Sequence, residues 1–209
     1  MGRRGRSSFR GKPSSSDAFG RDAQDRTRIA QVAARLISEH GLTDWSLAKR
    51  KAARQLMVPE HAAQPSNEEI EAALVEYHTL FGGAEHAADL AHKRRVALAW
   101  MRRLADWRPL LVGGVAAGWA GPHSDIRIEL VADDPKTVEI ALAAQGVGYA
   151  ARPPASSEPD AMRAAELLIE TSDQGLRLSI LTPHERRQRP RRDGEPRLTA
   201  DALAELLET

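Results

Sequence analysis

Asp125, Arg127 and Glu129 stand two residues apart in the stretch Ser124-Asp125-Ile126-Arg127-Ile128-Glu129-Leu130. Isoleucines alternate with them, so the stretch predicts a strand that carries all three charges on one face. Two carboxylates on one strand face suit nucleotidyl transfer, in which metals about 4 Å apart activate the attacking oxygen and neutralise the departing pyrophosphate. Magnesium takes oxygen ligands, mainly carboxylates and phosphates. The arginine between the acids opposes this use. A guanidinium stays protonated, cannot ligate a metal, and pairs with the acids beside it. Glu129 also stands one pleat further on, roughly 7 Å from Asp125 along the strand. The residues upstream, Leu111-Val112-Gly113-Gly114-Val115-Ala116-Ala117-Gly118-Trp119, read as a short apolar strand running into a glycine-rich turn. Gly113, Gly114 and Gly118 would let backbone amides approach an anion. Ser124, Arg127 and Arg177 complete a candidate nucleotide- or anion-binding set.

This strand, glycine turn and Ser-Asp-Ile stretch resembles the signature of the nucleotidyltransferase superfamily, which includes DNA polymerase beta and small nucleotidyltransferases. The family pattern is Gly-Ser, a glycine four residues after the serine, then Ser-Asp-Ile-Asp. Gly113, Gly118 and Ser124-Asp125-Ile126 fall in register with it. Gly114 stands where the family has serine, and Arg127 stands where it has the second aspartate. The resemblance covers about residues 108–182. It implies a small mixed sheet and an active centre with a third carboxylate on a later strand. The strand Leu176-Arg177-Leu178-Ser179-Ile180-Leu181 presents Arg177 and Ser179 there instead. Glu166 and Glu170, on one face of the strand before it, are the displaced acids available.

The helical half resembles a group of small proteobacterial proteins through Asp25–Pro59, including Ala48-Lys49-Arg50-Lys51-Ala52-Ala53-Arg54. Members are often named as a UDP-N-acetylmuramate–alanine ligase. Such a ligase needs a glycine-rich loop with a lysine to cradle ATP phosphates. No Gly-Lys-Ser/Thr occurs here.

The elements around the motif follow from periodicity. Residues 1–20 hold five basic residues before the first acid and few apolar ones, so they predict a disordered basic arm. Residues 21–107 predict a bundle of four helices. Ile29, Val32, Leu36 and Ile37 mark the first, which Gly41 stops. Thr43, Asp44 or Ser46 caps the second. Ser66 and Glu69 form a capping box for the third, which ends at Phe81-Gly82-Gly83. The fourth carries Val96, Trp100, Leu104 and Trp107 as its apolar stripe. Strands are expected at 110–114, 125–131, 147–151, 165–171 and 176–182, with a helix from Pro135 to Gln145 and a turn at 171–175. Residues 183–197 read as a basic linker, and Thr199 caps a closing helix. The expected class is α+β, an N-terminal helical bundle packed on a small mixed nucleotidyltransferase-like sheet. Its parts are the arm 1–20, the bundle 21–107, the α/β domain 108–182, and the linker and helix 183–209.

Lys49, Arg50 and Arg54 on the second helix, with Lys93, Arg94 and Arg95 on the fourth, are the candidate nucleic-acid contacts. Long basic side chains also cover the solvent faces of alanine-rich helices without any ligand. The chain has 30 Lys+Arg against 29 Asp+Glu and no cysteine, which excludes a disulfide framework and thiolate sites. No apolar run reaches membrane-span length, the first residues lack the apolar stretch of a secretory signal, and a cytoplasmic location is the expectation. The seven histidines show no metal-ligand spacing, so no metal site is assigned. Trp119 would stack a base or fill a vacant nucleotide pocket.

The reading that follows is a catalytically degenerate nucleotidyltransferase-like protein, more a binder than an enzyme. It would take a nucleotide, RNA or a protein partner without a cofactor. Two alternatives remain open. One is an active transferase with Asp125 and Glu129 as ligands to magnesium. The other is a helical nucleic-acid binder supported by the sheet.

Overall fold

The computed structural model describes residues 15–40, 42, 44–59, 64–152, 165–171, 174–188 and 196–208. Most of the proposed basic arm, the stop at Gly41, the candidate cap Thr43, and Arg189, Arg191 and Arg192 of the linker lie outside them. The described residues form eight α-helices and one five-stranded mixed sheet. The class is α+β. The chain divides into two compact units, Met1–Ala73 and Leu74–Thr209, and the division falls within the third helix.

In the first unit, α1 (Ser15–His40) packs against α2 (Trp45–Gln55). α1 starts earlier than its apolar stripe suggested. Its buried face is Ile29, Ala30, Ala33, Ala34 and Leu36, and α2 buries Ala48, Ala52 and Ala53. Val32 and Ile37, expected on the stripe, are only half-buried. Alanines supply most of the buried positions, and small side chains allow two helices a close approach. Asp44 caps α2, its carboxylate accepting from the Leu47 amide at 3.1 Å. α3 (Asn67–Phe81) opens on the capping box read from the sequence. The Ser66 hydroxyl accepts from the Glu69 amide at 3.1 Å, and the Glu69 carboxylate accepts from the Ser66 amide at 2.7 Å.

The second unit is built on the sheet. Its order is β1 (Leu110–Val112), β2 (Ile126–Val131), β5 (Gly175–Leu181), β4 (Ala165–Glu170) and β3 (Ala150–Arg152). β2 and β5 run parallel, and every other pair is antiparallel. A short helix, α5 (Gly114–Ala117), joins β1 to the motif loop, and α6 (Pro135–Ala144) makes the crossover. One sheet face carries Ile126, Ile128, Leu130, Leu176, Leu178, Ile180, Leu167 and Ile169, all buried. These share one core with Leu90, Ala97, Met101 and Leu104 of α4 (Gly83–Arg103) and Leu203 of α8 (Ala200–Glu208). α4 therefore packs on the sheet. Its buried stripe is Leu90, Lys93, Ala97, Met101 and Leu104, rotated from the stripe of Val96, Trp100, Leu104 and Trp107 expected from the sequence. A lysine in mid-stripe breaks the apolar pattern. Trp100 is half-buried instead, with the Arg103 guanidinium 4.9 Å from its ring centre.

The 183–197 segment is more ordered than a linker. It forms α7 (Pro183–Gln188). A capping box unnoticed in the sequence starts it. The Thr182 amide donates to the Glu185 carboxylate at 2.7 Å, and the Glu185 amide donates to the Thr182 hydroxyl at 3.2 Å. Leu198 then bridges Leu111 on β1, and the Thr199 hydroxyl caps α8 as expected.

Candidate functional site

The face of the sheet opposite the core is polar, and its register sets the site. Arg127 pairs with Arg177 across the parallel β2–β5 ladder, and Glu129 pairs with Ser179. Glu166 on β4 stands opposite Ser179, and Arg152 on the edge strand stands opposite Glu166. Paired residues share a face, so Arg127, Glu129, Arg177, Ser179, Glu166 and Arg152 project to one side. Asp125 sits just before β2 at the same side.

The ion pair at the centre decides what Asp125 can do. Arg177 donates from Nη2 to Asp125 Oδ2 at 2.9 Å, and its Nη1 lies 3.9 Å from Glu166 Oε2. Asp125 and the displaced acid Glu166 are thus gathered on one guanidinium. Charge-assisted bonds of this length are the strong ones. A divalent cation arriving at Asp125 would also meet the Arg177 charge, and at 4 Å each pair of unit charges costs about 4 kcal/mol at an effective dielectric of 20. Glu129, the other candidate ligand, is 1% exposed. The donor set does not fit magnesium: one acid is paired, the other is buried, and Arg127 lies between them in sequence. Among the described residues, no group of three or more His, Cys, Asp and Glu residues is placed to hold a metal ion.

The glycine turn is shaped by its own hydrogen bonds. Gly113 has φ +68° and ψ −155°, which only glycine adopts without strain. The Gly114 carbonyl accepts from the amides of Gly118, Trp119 and Ala120 at 2.8, 3.0 and 3.1 Å. The Gly118 amide is therefore used inside the turn. The Ser124 hydroxyl accepts from the Gly121 amide at 3.1 Å, which fixes its place in the turn and leaves its own proton to donate. Trp119 lies on Gly114. A Cβ at Gly114 would come within 2.7 Å of the indole Cζ3. The glycine found where the resembled family has serine is thus matched to this tryptophan, which takes the space of the missing side chain. Arg127 is exposed, and its Cδ lies 3.3 Å from where a Cβ of Gly113 would be.

The expected nucleic-acid residues do not behave as one group. Lys93 is wholly buried and is not available to a phosphate. Arg94 donates from Nε to the Val115 carbonyl at 3.2 Å, and burial lowers its pKa. Lys49 donates to the Asn67 side chain at 3.0 Å. Its pKa is lowered by burial, against the pull of Glu68 and Glu69. Arg50, Arg54 and Arg95 are exposed.

Three contributors escaped the sequence. Gly175 is one, since a Cβ there would run into the Asp125 carboxylate. Gln174 is another, bonded to Lys93. The third is the stacked pair His78 and His86, with ring centres 3.9 Å apart and planes 11° from parallel. His86 Nε2 lies 3.3 Å from the Gly118 carbonyl, so the pair abuts the glycine turn. A glycine beside a short acid, or two histidines eight residues apart, gives no signal until the fold brings them together.

No family model matches the chain, and no curated protein sequence matches it. Among solved structures it is similar to the Cid1 poly(U) polymerase, in the MgGTP-bound form of a study of UTP selectivity, with a TM-score of 0.29 and 13% identity. The match covers 55% of this chain and 38% of the polymerase. The chain thus spans under two-fifths of that protein, and a likeness of this degree assigns no residue a role. No helix among the described residues is long and apolar enough to cross a membrane.

Proposed function

We propose that this chain is a nucleotidyltransferase-like binding protein that takes a phosphate-bearing nucleotide without metal chemistry. The observation that carries the reading is the 2.9 Å contact between Asp125 and Arg177. In a metal-dependent transferase the cation neutralises both the aspartate and the phosphates. Here a fixed guanidinium neutralises the aspartate, so the phosphates need another source of positive charge. The exposed Arg127, with its stem beside Gly113, is the cation that a phosphate on this face would meet. Arginine suits the task because its planar fork matches phosphate oxygens two at a time. Arg177 sits in the neighbouring register position and fixes the acids that would otherwise repel the ligand. Trp119, packed on Gly114, offers an aromatic wall at the mouth of the same turn.

The role of each residue follows. Arg127 binds the anion, Arg177 holds Asp125 and Glu166 out of play, and Gly113 gives Arg127 room. Equilibrium binding of a nucleoside triphosphate to the parent and to Arg127→Asp tests this. The reversal of charge should weaken binding at least tenfold, because one guanidinium–phosphate pair is worth roughly 1.5–3 kcal/mol and the aspartate adds repulsion. Equal affinity for the two proteins would refute the assignment. Binding of RNA by the parent with no affinity for triphosphate would move the ligand to the exposed basic helices.

A further inference from the structure

Behind the Asp125–Arg177 pair lies a charge with no exposed surface. Lys93 on α4 is 0% exposed. Its Nζ lies 3.2 Å from the Pro122 carbonyl oxygen and 3.3 Å from that of Ser124. It also donates to Gln174 Oε1, and Asp89 Oδ2 is 3.8 Å away. Four oxygens from three separate segments surround one positive charge. An ammonium has three protons, and the two carbonyls and the Gln174 amide oxygen are three acceptors. Asp89 supplies the counter-charge from the turn of α4 before it. Dehydration lowers the lysine pKa, while Asp89 and Asp125 act to raise it.

The positions of these oxygens in the chain give the arrangement its meaning. Ser124 immediately precedes Asp125, and Gln174 immediately precedes Gly175, on which the Asp125 carboxylate rests. Arg177 follows three residues after Gln174. Both sides of the ion pair are therefore anchored next to the residues that form it, and by the same ammonium. Loop carbonyls gathered around a single charge are what a bound monovalent cation produces.

We propose that Lys93 is a tethered cation. Its ammonium fills an oxygen cage that would otherwise take a free monovalent cation, and in doing so it clamps the loop at Ser124 to the turn at Gln174. Lys93 is a positioning residue for Asp125 and Arg177. The proposal rests on the reading above only in that Asp125 and Arg177 belong to that site.

The test has two parts. The first uses the unaltered protein. A caged ammonium exchanges its protons slowly, so lysine-selective nitrogen NMR near pH 7 should show one protected ammonium signal that vanishes in Lys93→Met. Absence of a protected signal overturns the proposal. The second uses Lys93→Ala and Lys93→Met, each of which leaves the carbonyls without their donor. Each should melt roughly 10 °C below the parent. In Lys93→Ala the emptied cage should accept potassium, ammonium or n-propylammonium, the last replacing the atoms removed. These chlorides should raise its melting temperature by several degrees over tetramethylammonium chloride at equal ionic strength. The parent and Lys93→Met should not distinguish the salts. An equal response of Lys93→Ala to all four salts, or a Lys93→Met protein as stable as the parent, overturns the proposal. If the alanine variant does not fold, the NMR signal decides alone. None of these readouts uses a nucleotide, so failure of triphosphate binding and failure of the cage are separate results.

Discussion

Putting serine at position 114, as the resembled family has it, should destabilise this protein, and the cost should depend on Trp119. A Cβ built on Gly114 lies 2.7 Å from Cζ3, 2.8 Å from Cε3 and 3.0 Å from Cη2 of the indole. The shortest of these is roughly 0.7 Å inside ordinary van der Waals contact. The obstacle is a rigid ring and not the end of a flexible chain, so the ring or the turn must shift as a body. Overpacking of this kind costs about 1–3 kcal/mol, or a fall in Tm of roughly 2–10 °C for a chain of this length. Trp119→Ala removes the obstacle and has its own cost, on the order of 2 kcal/mol for a half-buried indole. Gly114→Ser on top of Trp119→Ala should then cost no more than about 0.5 kcal/mol. Urea unfolding of the four proteins in the cycle measures the coupling, expected at about 1–3 kcal/mol. If Gly114→Ser is harmless in the parent, or costs the same in both backgrounds, then the tryptophan is not what excludes the serine and the matched pair is an error.

Gly175→Ala should act on Asp125 in the same way, since the new methyl meets the carboxylate. It should cost about 1–3 kcal/mol in the parent and clearly less beside Asp125→Ala; equal costs in chemical denaturation would remove Gly175 from the site. Burial, with His86 second, lowers the His78 pKa from 6.5 to about 4. The native state then binds fewer protons than the unfolded chain between those values. Stability should be full above about pH 6.5 and fall as pH drops towards 4, by on the order of 2–3 kcal/mol. Unfolding midpoints for the parent and His78→Gln over that range check this, and parallel curves would contradict it. Thr182→Ala removes one half of the capping box at α7 and should cost about 1 kcal/mol, with protection from hydrogen exchange lost first over Pro183–Gln188. Unchanged protection there would show that the cap does not hold the helix.

Wherever one local rule acted without competition, the sequence was a good guide. The strands at 110–112, 126–131, 165–170 and 175–181 could be read from alternation and from the glycines and prolines between them. The Ser66–Glu69 box worked because it closes within four residues. The site was half legible. The spacing of Asp125, Arg127 and Glu129 placed them on one face, and the alternation of β5 put Arg177 on the polar side. Their partnership was hidden, because it depends on which strands lie side by side. β2 and β5 are neighbours through a parallel pairing across some fifty residues of sequence, and no local pattern encodes that. Lys93 was misread for a related reason. A basic residue among Arg94 and Arg95 looks like a solvated face, yet one residue of phase, about 100° around the helix, puts it in the core stripe with Leu90 and Ala97. The carbonyls of a distant loop, with Gln174 and Asp89, make its burial tolerable.

Calorimetric titration of a nucleoside triphosphate into the parent protein, once in excess chelator and once in millimolar magnesium, tests the central claim most directly. The account gives one site with the same affinity in both, lost in Arg127→Asp and retained in Asp125→Asn. Binding that appears only with magnesium and disappears in Asp125→Asn would contradict it, and would return Asp125 to the role of a metal ligand.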